Sequence, residues 1–467
     1  MYLRIFFRRF VLAAVIGVVG LAAICSDALT ITFGPTFTEA NSAPLAGTLK
    51  LGTDEASRVN ISVNDGIDTW EHDFFDYDTT HSITLLGFKA DRTNEISVTV
   101  FDKSGRQVTA PAPVQFVTDP LPSDFPNIVV LTNVTEKMEP GYILFRVAIN
   151  LNRIGYQVIV NNSGEVVWYS SVPSQVEVRQ LDNGDLFLFS TTSFMEINTL
   201  GEVVKTWSAP LGVPIDVHEG LMTDHGTILF LSHATASVDN FPSSNTDPNA
   251  PLQTVTVVYN PVGEISVTNS ELLNFWSPYD ELDKTRITYL TVHNAPGVDL
   301  EHANAVIEDP RDNSIIVSLR HQNAVIRFSR ATGQLIWILG PHENWGEAWQ
   351  KYLLSPVGTP FEWQYAQHAP VFTPQGTLLL YDDGNYRASP FEAPVPDASN
   401  YSRAVEYAID ETNMTVSQVW DYGRTNEERM YTDKVGGAEV LPETGNVLID
   451  FGSVKYINGV KPSSYSL

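Results

Sequence analysis

The chain has 467 residues, of which 43% are hydrophobic and 18% charged; this supplies a large core and excludes disorder over most of the length. Its 55 acidic side chains against 28 basic ones give a net charge of -27, which excludes general nucleic-acid binding and means that any anionic substrate needs a local pocket of positive charge. Cys25 is the only cysteine, so neither a disulfide framework nor a cysteine-based metal site forms within one chain.

Residues 1–28 read as a signal peptide. MYLRIFFRRF is basic, and VLAAVIGVVGLAAI is an apolar run too short for a comfortable membrane span. Cleavage after Ala28 fits the small residues Ser26 and Ala28, and it predicts a periplasmic or secreted protein with no stable membrane span. Ile24 is a poor residue before a lipoprotein cysteine, and Arg8-Arg9 is half of a twin-arginine signal. Residues 29–120 alternate apolar and polar side chains in RVNISV, HSITLL and NEISVTVFD, the pattern of a small N-terminal β-sandwich. The proline-rich APAPVQFVTDPLPSDFP reads as a linker, with a domain boundary near Leu121.

From Pro126 to residue 467 the pattern is all-β, and two phrases recur. A turn followed by an apolar strand appears as LDNGDLFLFS (181–190), TDHGTILFLS (223–232), DPRDNSIIVSL (309–319), TPQGTLLLYD (373–382) and PETGNVLIDF (442–451). A glycine-led turn into a strand, often ending in tryptophan, appears as SGEVVW (163–168), LGEVVKTW (200–207), VGEISV (262–267) and TGQLIW (332–337), with MTVSQVW (414–420) as a version without the glycine. The alternation of inner and outer hairpins predicts a six-bladed β-propeller, with insertions at 234–254 and 385–400 as loops; a many-stranded sandwich is the rival. The tryptophans at 168, 207, 337 and 420 read as blade packing.

His218 lies eight residues before Gly226 and His368 eight before Gly376, while His302 lies eleven before Asn313 across a longer turn. Three successive blades therefore open their inner strand with histidine, and inner strands converge on the propeller axis. Arg320 follows the inner hairpin strand that belongs to His302 and falls in the same layer. A guanidinium beside imidazoles favours an anion site, with no metal, because it would repel a bound cation. His321, next in sequence, is expected by strand alternation to point to the opposite face in a supporting role.

DLEHANAVIEDPRDNSIIVSLRHQNAVIRFSRATGQLIWILGPHENW (299–345) resembles the central signature of the bacterial arylsulfate sulfotransferases, and QHAPVFTPQGTLLLYDDGNYR (367–387) resembles their next blade. The resemblance extends from about 30 to 453. It implies a six-bladed, exported, homodimeric transferase that moves a sulfuryl group from an aryl sulfate donor to a phenolic acceptor. The route is ping-pong through a sulfohistidine, with no nucleotide donor and no cofactor. By motif, His368 is the nucleophile, while His218, His302, Asn304 and Arg320 hold the sulfuryl oxygens and His302 also carries protons. Arg387 in GNYR either contacts substrate or ties down its loop.

The family pattern continues beyond GGAEVLPETGNVLIDFGS with strands that complete the last blade, whereas this chain stops at Leu467. The last blade is therefore expected to be incomplete or to be closed by a segment near 126–150. An aryl sulfatase or other ester hydrolase needs the same nucleophile and anion clamp, and a non-catalytic binding propeller needs neither.

Overall fold

The computed structural model describes residues 28–148, 155–172, 177–291, 293–294, 297–425 and 429–462. The signal segment, apart from Ala28, and Cys25 lie outside the described residues. Two compact units form: the first runs to Ser174 and includes Val178–Leu188 and Glu196–Lys205, and the second holds Phe189–Met195 and everything from Thr206 onward. No helix among the described residues is long and apolar enough to cross a membrane.

In the first unit, the expected alternation is realised on Gly47–Asn64, whose Val59, Ile61 and Val63 are buried while Arg58, Asn60 and Ser62 face outward. This long strand pairs antiparallel with Ile31–Glu39, Thr69–Leu85 and Arg92–Asp102. A small antiparallel sandwich was expected. The six strands here are hydrogen-bonded as one sheet, because the single strand passes from one set of partners to the next. Leu49, Leu51, Ile96, Val98 and Val100 complete its buried face, against which Phe37, Phe88 and Phe116 pack edge to ring. The same core takes in Val147, Tyr156, Val158 and Tyr169 from the three-stranded sheet Tyr142–Ala148, Gly155–Asn161 and Val166–Ser170. The buried core of the first unit thus continues past Leu121, where the sequence suggested a boundary, into this sheet. The segment considered as a closing strand, Tyr142–Ala148, pairs with Gly155–Asn161.

The rest of the chain is a succession of small sheets. Residues 178–208 form one of four strands, and Gly220–Met222, Thr227–Leu231, Val262–Ser266 and Leu272–Trp276 form the next. Ala303–Glu308, Ile315–Leu319, Ala324–Phe328 and Leu335–Leu339 follow, then His368–Phe372, Leu378–Asp382, Arg403–Asp410 and Thr415–Tyr422 with Ser355–Pro356 at the edge. Two hairpin-like pairs, Gly437–Val440 with Val447–Asp450 and Met430–Thr432 with Val454–Ile457, complete the order.

Each turn-and-strand phrase read from the sequence is the second strand of its sheet or pair. The turn residues Gly184, Gly226, Asn313, Gly376 and Gly445 all take the left-handed backbone conformation that glycine and asparagine tolerate best. The strands that follow at 227–231, 315–319 and 378–382 are buried at every position, which explains their unbroken apolar runs. Ile307, Ile316, Val325 and Leu339 of one sheet pack on Leu378, Leu380, Val405 and Tyr407 of its successor, and burial of each such side chain contributes about 1.5–3 kcal/mol.

VGEISV is a third strand, and the outer strand of its sheet is Leu272–Trp276, which the glycine-led phrase did not flag. Trp276 makes the correspondence visible. Its indole N–H donates to the carbonyl of Arg330, as Trp168 donates to Thr199 and Trp207 to Val267, at 3.1, 2.7 and 2.8 Å. In each case the acceptor lies in the turn between the third and fourth strands of the following sheet.

The insertion at 234–254 is not a plain loop. Ala234–Pro242 and Leu252–Tyr259 make a hairpin, on which Gly297–Asp299 pairs in parallel. This extra sheet carries Asp299 to the site.

Candidate active site

Three histidines stand at the start of the first strand in three consecutive sheets: His218 before Gly220–Met222, His302 before Ala303–Glu308, and His368 at the head of His368–Phe372. Each presents Nδ1 to an aspartate. The distances are 2.6 Å from His218 to Asp216, 2.6 Å from His302 to Asp299 and 2.5 Å from His368 to Asp383. An ionised carboxylate only accepts hydrogen bonds, so each Nδ1 carries the proton and a neutral ring keeps its lone pair at Nε2.

The imidazoles form a row. The rings of His218 and His302 lie 4.8 Å apart, and His321 stacks on His302 at 4.4 Å. His302 holds a left-handed backbone, φ 45°, strain of a kind that persists only where the surroundings enforce it.

His321 corrects the alternation argument. Arg320–Gln322 is a 3-10 turn and not strand, so successive side chains do not alternate, and His321 joins the row. Its Nδ1 donates to the Asp299 carbonyl at 2.8 Å and its Nε2 accepts from Arg320 Nη1 at 3.1 Å. Burial and the neighbouring His302 push its pKa down to about 3, so it is a neutral acceptor that orients the guanidinium. Arg320 Nη2 donates to the Asp433 carbonyl at 2.9 Å, and its Nε is buried without a hydrogen-bond partner. Among the described residues no carboxylate lies within ion-pair distance of this guanidinium. Its charge is felt by His302, His321 and Asp383 alike, which puts a cation between the His302 and His368 dyads.

Asparagines register the strands. Asn260 donates to the Ser232 carbonyl and to Asp216, accepts the Ala303 N–H at 3.0 Å, and gives its own backbone N–H to Glu301. Asn323 repeats the move one sheet later, accepting the Ala366 N–H at 2.8 Å. Asn304 donates through Nδ2 to the Gln367 carbonyl, at 2.8 Å, beside His368. That nitrogen is thereby engaged in holding the strand of His368, and the atom left unpaired is the acceptor Oδ1. Arg387 stands apart from the row: it is spent on Asp382, Asn400, the Tyr401 carbonyl and Glu362, which corresponds to tying down its loop.

Electrostatics separate the dyads. Burial pushes Asp383 above the usual carboxylate range, opposed by His368 and Arg320. Burial also acts on Asp216, but the hydrogen bonds and charge of His218 outweigh it and hold this carboxyl below the usual range. His302 is lowered by burial, with His218 and Arg320 adding to the effect and Asp299 opposing it. Glu301, beside His302, is buried and raised to about 8. A cavity of about 170 Å³ opens against Asp216, His218, His233, Asn260, Asp299 and His302.

Asp299, His302 and His321 offer atoms within 4.8 Å of one another, a spacing that suits a metal ion. Both nitrogens of His321 are already committed, however, and one of them faces a guanidinium. His321 therefore has no lone pair free for a metal ion. The aspartates, His233 and Asn260 escaped the sequence argument. DVH at 216–218 and DLEH at 299–302 carried a local signal, while Asp383 is paired across a strand.

A model of the family described as arylsulfotransferase (ASST) matches residues 127–466. The arylsulfate sulfotransferase AssT of Escherichia coli O6:H1 is 26% identical over 322 residues, 59% of this chain and 51% of that protein. The arylsulfate sulfotransferase AssT of Lelliottia amnigena is 25% identical over 333 residues, 61% and 53% of the two chains. The chain spans about half the length of the curated relatives it matches. Similar solved structures include a protein of unknown function from Bacteroides caccae, at 13% identity, 78% and 93% coverage and a TM-score of 0.34. Virginiamycin B lyase from Staphylococcus aureus has 10% identity, 70% and 80% coverage and a TM-score of 0.31. Likenesses of that strength carry no argument about function.

Proposed function

We propose, because this chain belongs to the arylsulfotransferase family, that it moves a sulfuryl group from an aryl sulfate ester to a phenol through a sulfohistidine on His368, without a nucleotide donor. The observation that carries this reading is the pairing of His368 with Asp383, 2.5 Å apart, next to a guanidinium that has no carboxylate partner among the described residues. The Nε2 lone pair of His368 attacks sulfur, the sulfur–oxygen bond to the aryl group breaks, and the phenolate leaves with the electron pair. Sulfuryl transfer is loose and nearly planar at sulfur, so positioning and stabilisation of the oxygens supply most of the catalysis. Arg320 offers donors to those oxygens. In the second half-reaction the acceptor phenol gives its proton to the neutral His302, and its oxygen takes the sulfuryl group from His368.

The scaffold belongs to the same proposal. Successive sheets at 142–170, 178–208, 220–276, 303–339, 368–422 and 430–457, with the repeated tryptophan bond from one sheet to the next, support six propeller blades. Export to the periplasm or medium is supported by the signal-like segment 1–28 and by the family resemblance, and pairing of two copies by the family resemblance alone.

The test is release of p-nitrophenol from its sulfate by purified protein, with and without added phenol and with no nucleotide. Phenol-dependent release that disappears in His368→Ala is expected. Release independent of phenol would make the protein a sulfatase, and none from folded protein would leave a binding module.

A further inference from the structure

The cavity beside His218 and His302 has a chemical character of its own. Its volume of about 170 Å³ is small against the several hundred Å³ of pockets that take drug-sized ligands, and it suits a single aromatic ring. Val258 and Ala303 supply apolar wall, while the carboxylates of Asp216 and Asp299 and the exposed His233 supply the polar part. Among the described residues no lysine or arginine lines it. The nearest cation in the row, Arg320, meets the histidines from the other end, through His321. Positive charge for sulfuryl oxygens and negative charge around the ring pocket are therefore segregated along one line of imidazoles.

We infer that this cavity receives the aryl ring of the acceptor and selects it by charge, favouring single-ring phenols that are neutral or carry an ammonium group over those that carry a carboxylate. The inference rests on the transfer reading above and narrows its substrate class. The composition of the wall supports it independently of that reading: two carboxylates line it, and among the described residues no lysine or arginine does. Both aspartates are held below the usual carboxylate range: burial pushes each up, but hydrogen bonds from His218 and His302 respectively outweigh it. His302, between the two, is lowered chiefly by burial, so its ring does not cancel them. A carboxylate on an entering phenol meets two like charges at close range in a partly desolvated space, where the repulsion is large enough to cost roughly tenfold or more in binding. An ammonium group at the same place is attracted by a similar factor.

The test compares three acceptors with p-nitrophenyl sulfate as donor: phenol, 4-(2-aminoethyl)phenol and 4-hydroxyphenylacetate. The expected order of kcat/KM is amine, neutral, carboxylate, with on the order of tenfold between the ends, the difference lying in KM and shrinking in high salt. His233→Lys places a cation in the cavity wall without burying it, and the amine-to-carboxylate ratio should fall severalfold. Equal KM values for all three acceptors, or a preference for the carboxylate, overturn the inference while leaving transfer standing. Absence of phenol-dependent release with every acceptor overturns the transfer reading itself, and this inference with it.

Discussion

The carboxylate of Asp383, wholly removed from solvent, lies 2.5 Å from Nδ1 of His368. In the proposed route, sulfation of Nε2 would leave the ring cationic as long as Nδ1 keeps its proton, and a cationic ring is the better leaving group for the second transfer. Asp383→Asn removes the compensating charge and frees the ring to adopt the other tautomer. Loss of the equivalent carboxylate in acyl-transfer triads costs about four orders of magnitude. Asp383→Asn is accordingly expected to lower turnover on the order of 10²–10⁴-fold at unchanged thermal stability. Steady-state release of p-nitrophenol in the presence of phenol is the measurement, with the first-turnover burst to say which half-reaction suffers; undiminished turnover would sink the idea.

Arg320 and His321 act as a pair in the present geometry. His321→Phe keeps an aromatic ring against His302 and deletes the acceptor that orients the guanidinium. Freed from its partner, Arg320 should lose alignment with the sulfuryl oxygens, and kcat should fall about tenfold or more with only a modest change in KM. Arg320→Lys replaces the fork by a point charge and should fall further. A variant series in which KM alone moves would assign Arg320 to ground-state binding.

Two buried groups beside His302 give stability a pH dependence of known sign. Glu301 titrates near 8 in the fold against 4.5 when unperturbed, so its contribution is full below 4.5 and is lost as pH rises towards 8. His321 titrates near 3 against 6.5, so its contribution is full above 6.5 and is lost as pH falls towards 3. Between 4.5 and 6.5 the two slopes oppose each other. Unfolding free energy should be flattest there and decline on both sides, and Glu301→Gln should remove the alkaline decline; denaturant midpoints from pH 4 to 9 test both statements.

Asn260 serves both the His218 dyad and the strand of His302. Its replacement by alanine leaves the Ala303 N–H and the Ser232 carbonyl without that partner, at a cost of about 1–3 kcal/mol per unsatisfied buried group. Asn260→Ala should lower the denaturation midpoint and reduce activity more than the stability loss explains. Activity falling only in step with the folded fraction would reduce Asn260 to scaffolding.

How much of this was legible from sequence depends on whether the signal was local. Gly226, Asn313 and Gly376 declare their turns because only certain residues tolerate a left-handed backbone, and counting back from them finds His218, His302 and His368. Asp383 was invisible for the opposite reason: the hydrogen bond that ties it to His368 runs between neighbouring chain segments, and no spacing rule predicts which of two adjacent buried aspartates, Asp382 or Asp383, meets the histidine. His321 was misplaced because alternation was extended past the last residue of the strand into a 3-10 turn. Asp299 reaches its histidine on a strand that belongs to an inserted sheet, and the sequence around 234–254 read simply as loop. The apolar burial that Val147, Tyr156 and Tyr169 share with the N-terminal sheet joins segments on both sides of the proline-rich stretch, and local composition cannot reveal that.

Asn260 reaches forward to Ala303, and Asn323 reaches forward to Ala366. The positions of His302 and His368 are thus written by the residues that precede their sheets, so a displacement passes to one successor and no further unless that successor moves too. Loops outside this relay are free to diverge in length and composition at little cost to the alignment of the imidazoles. New specificities should therefore arise by exchange of those loops, while the asparagines that carry the relay stay fixed.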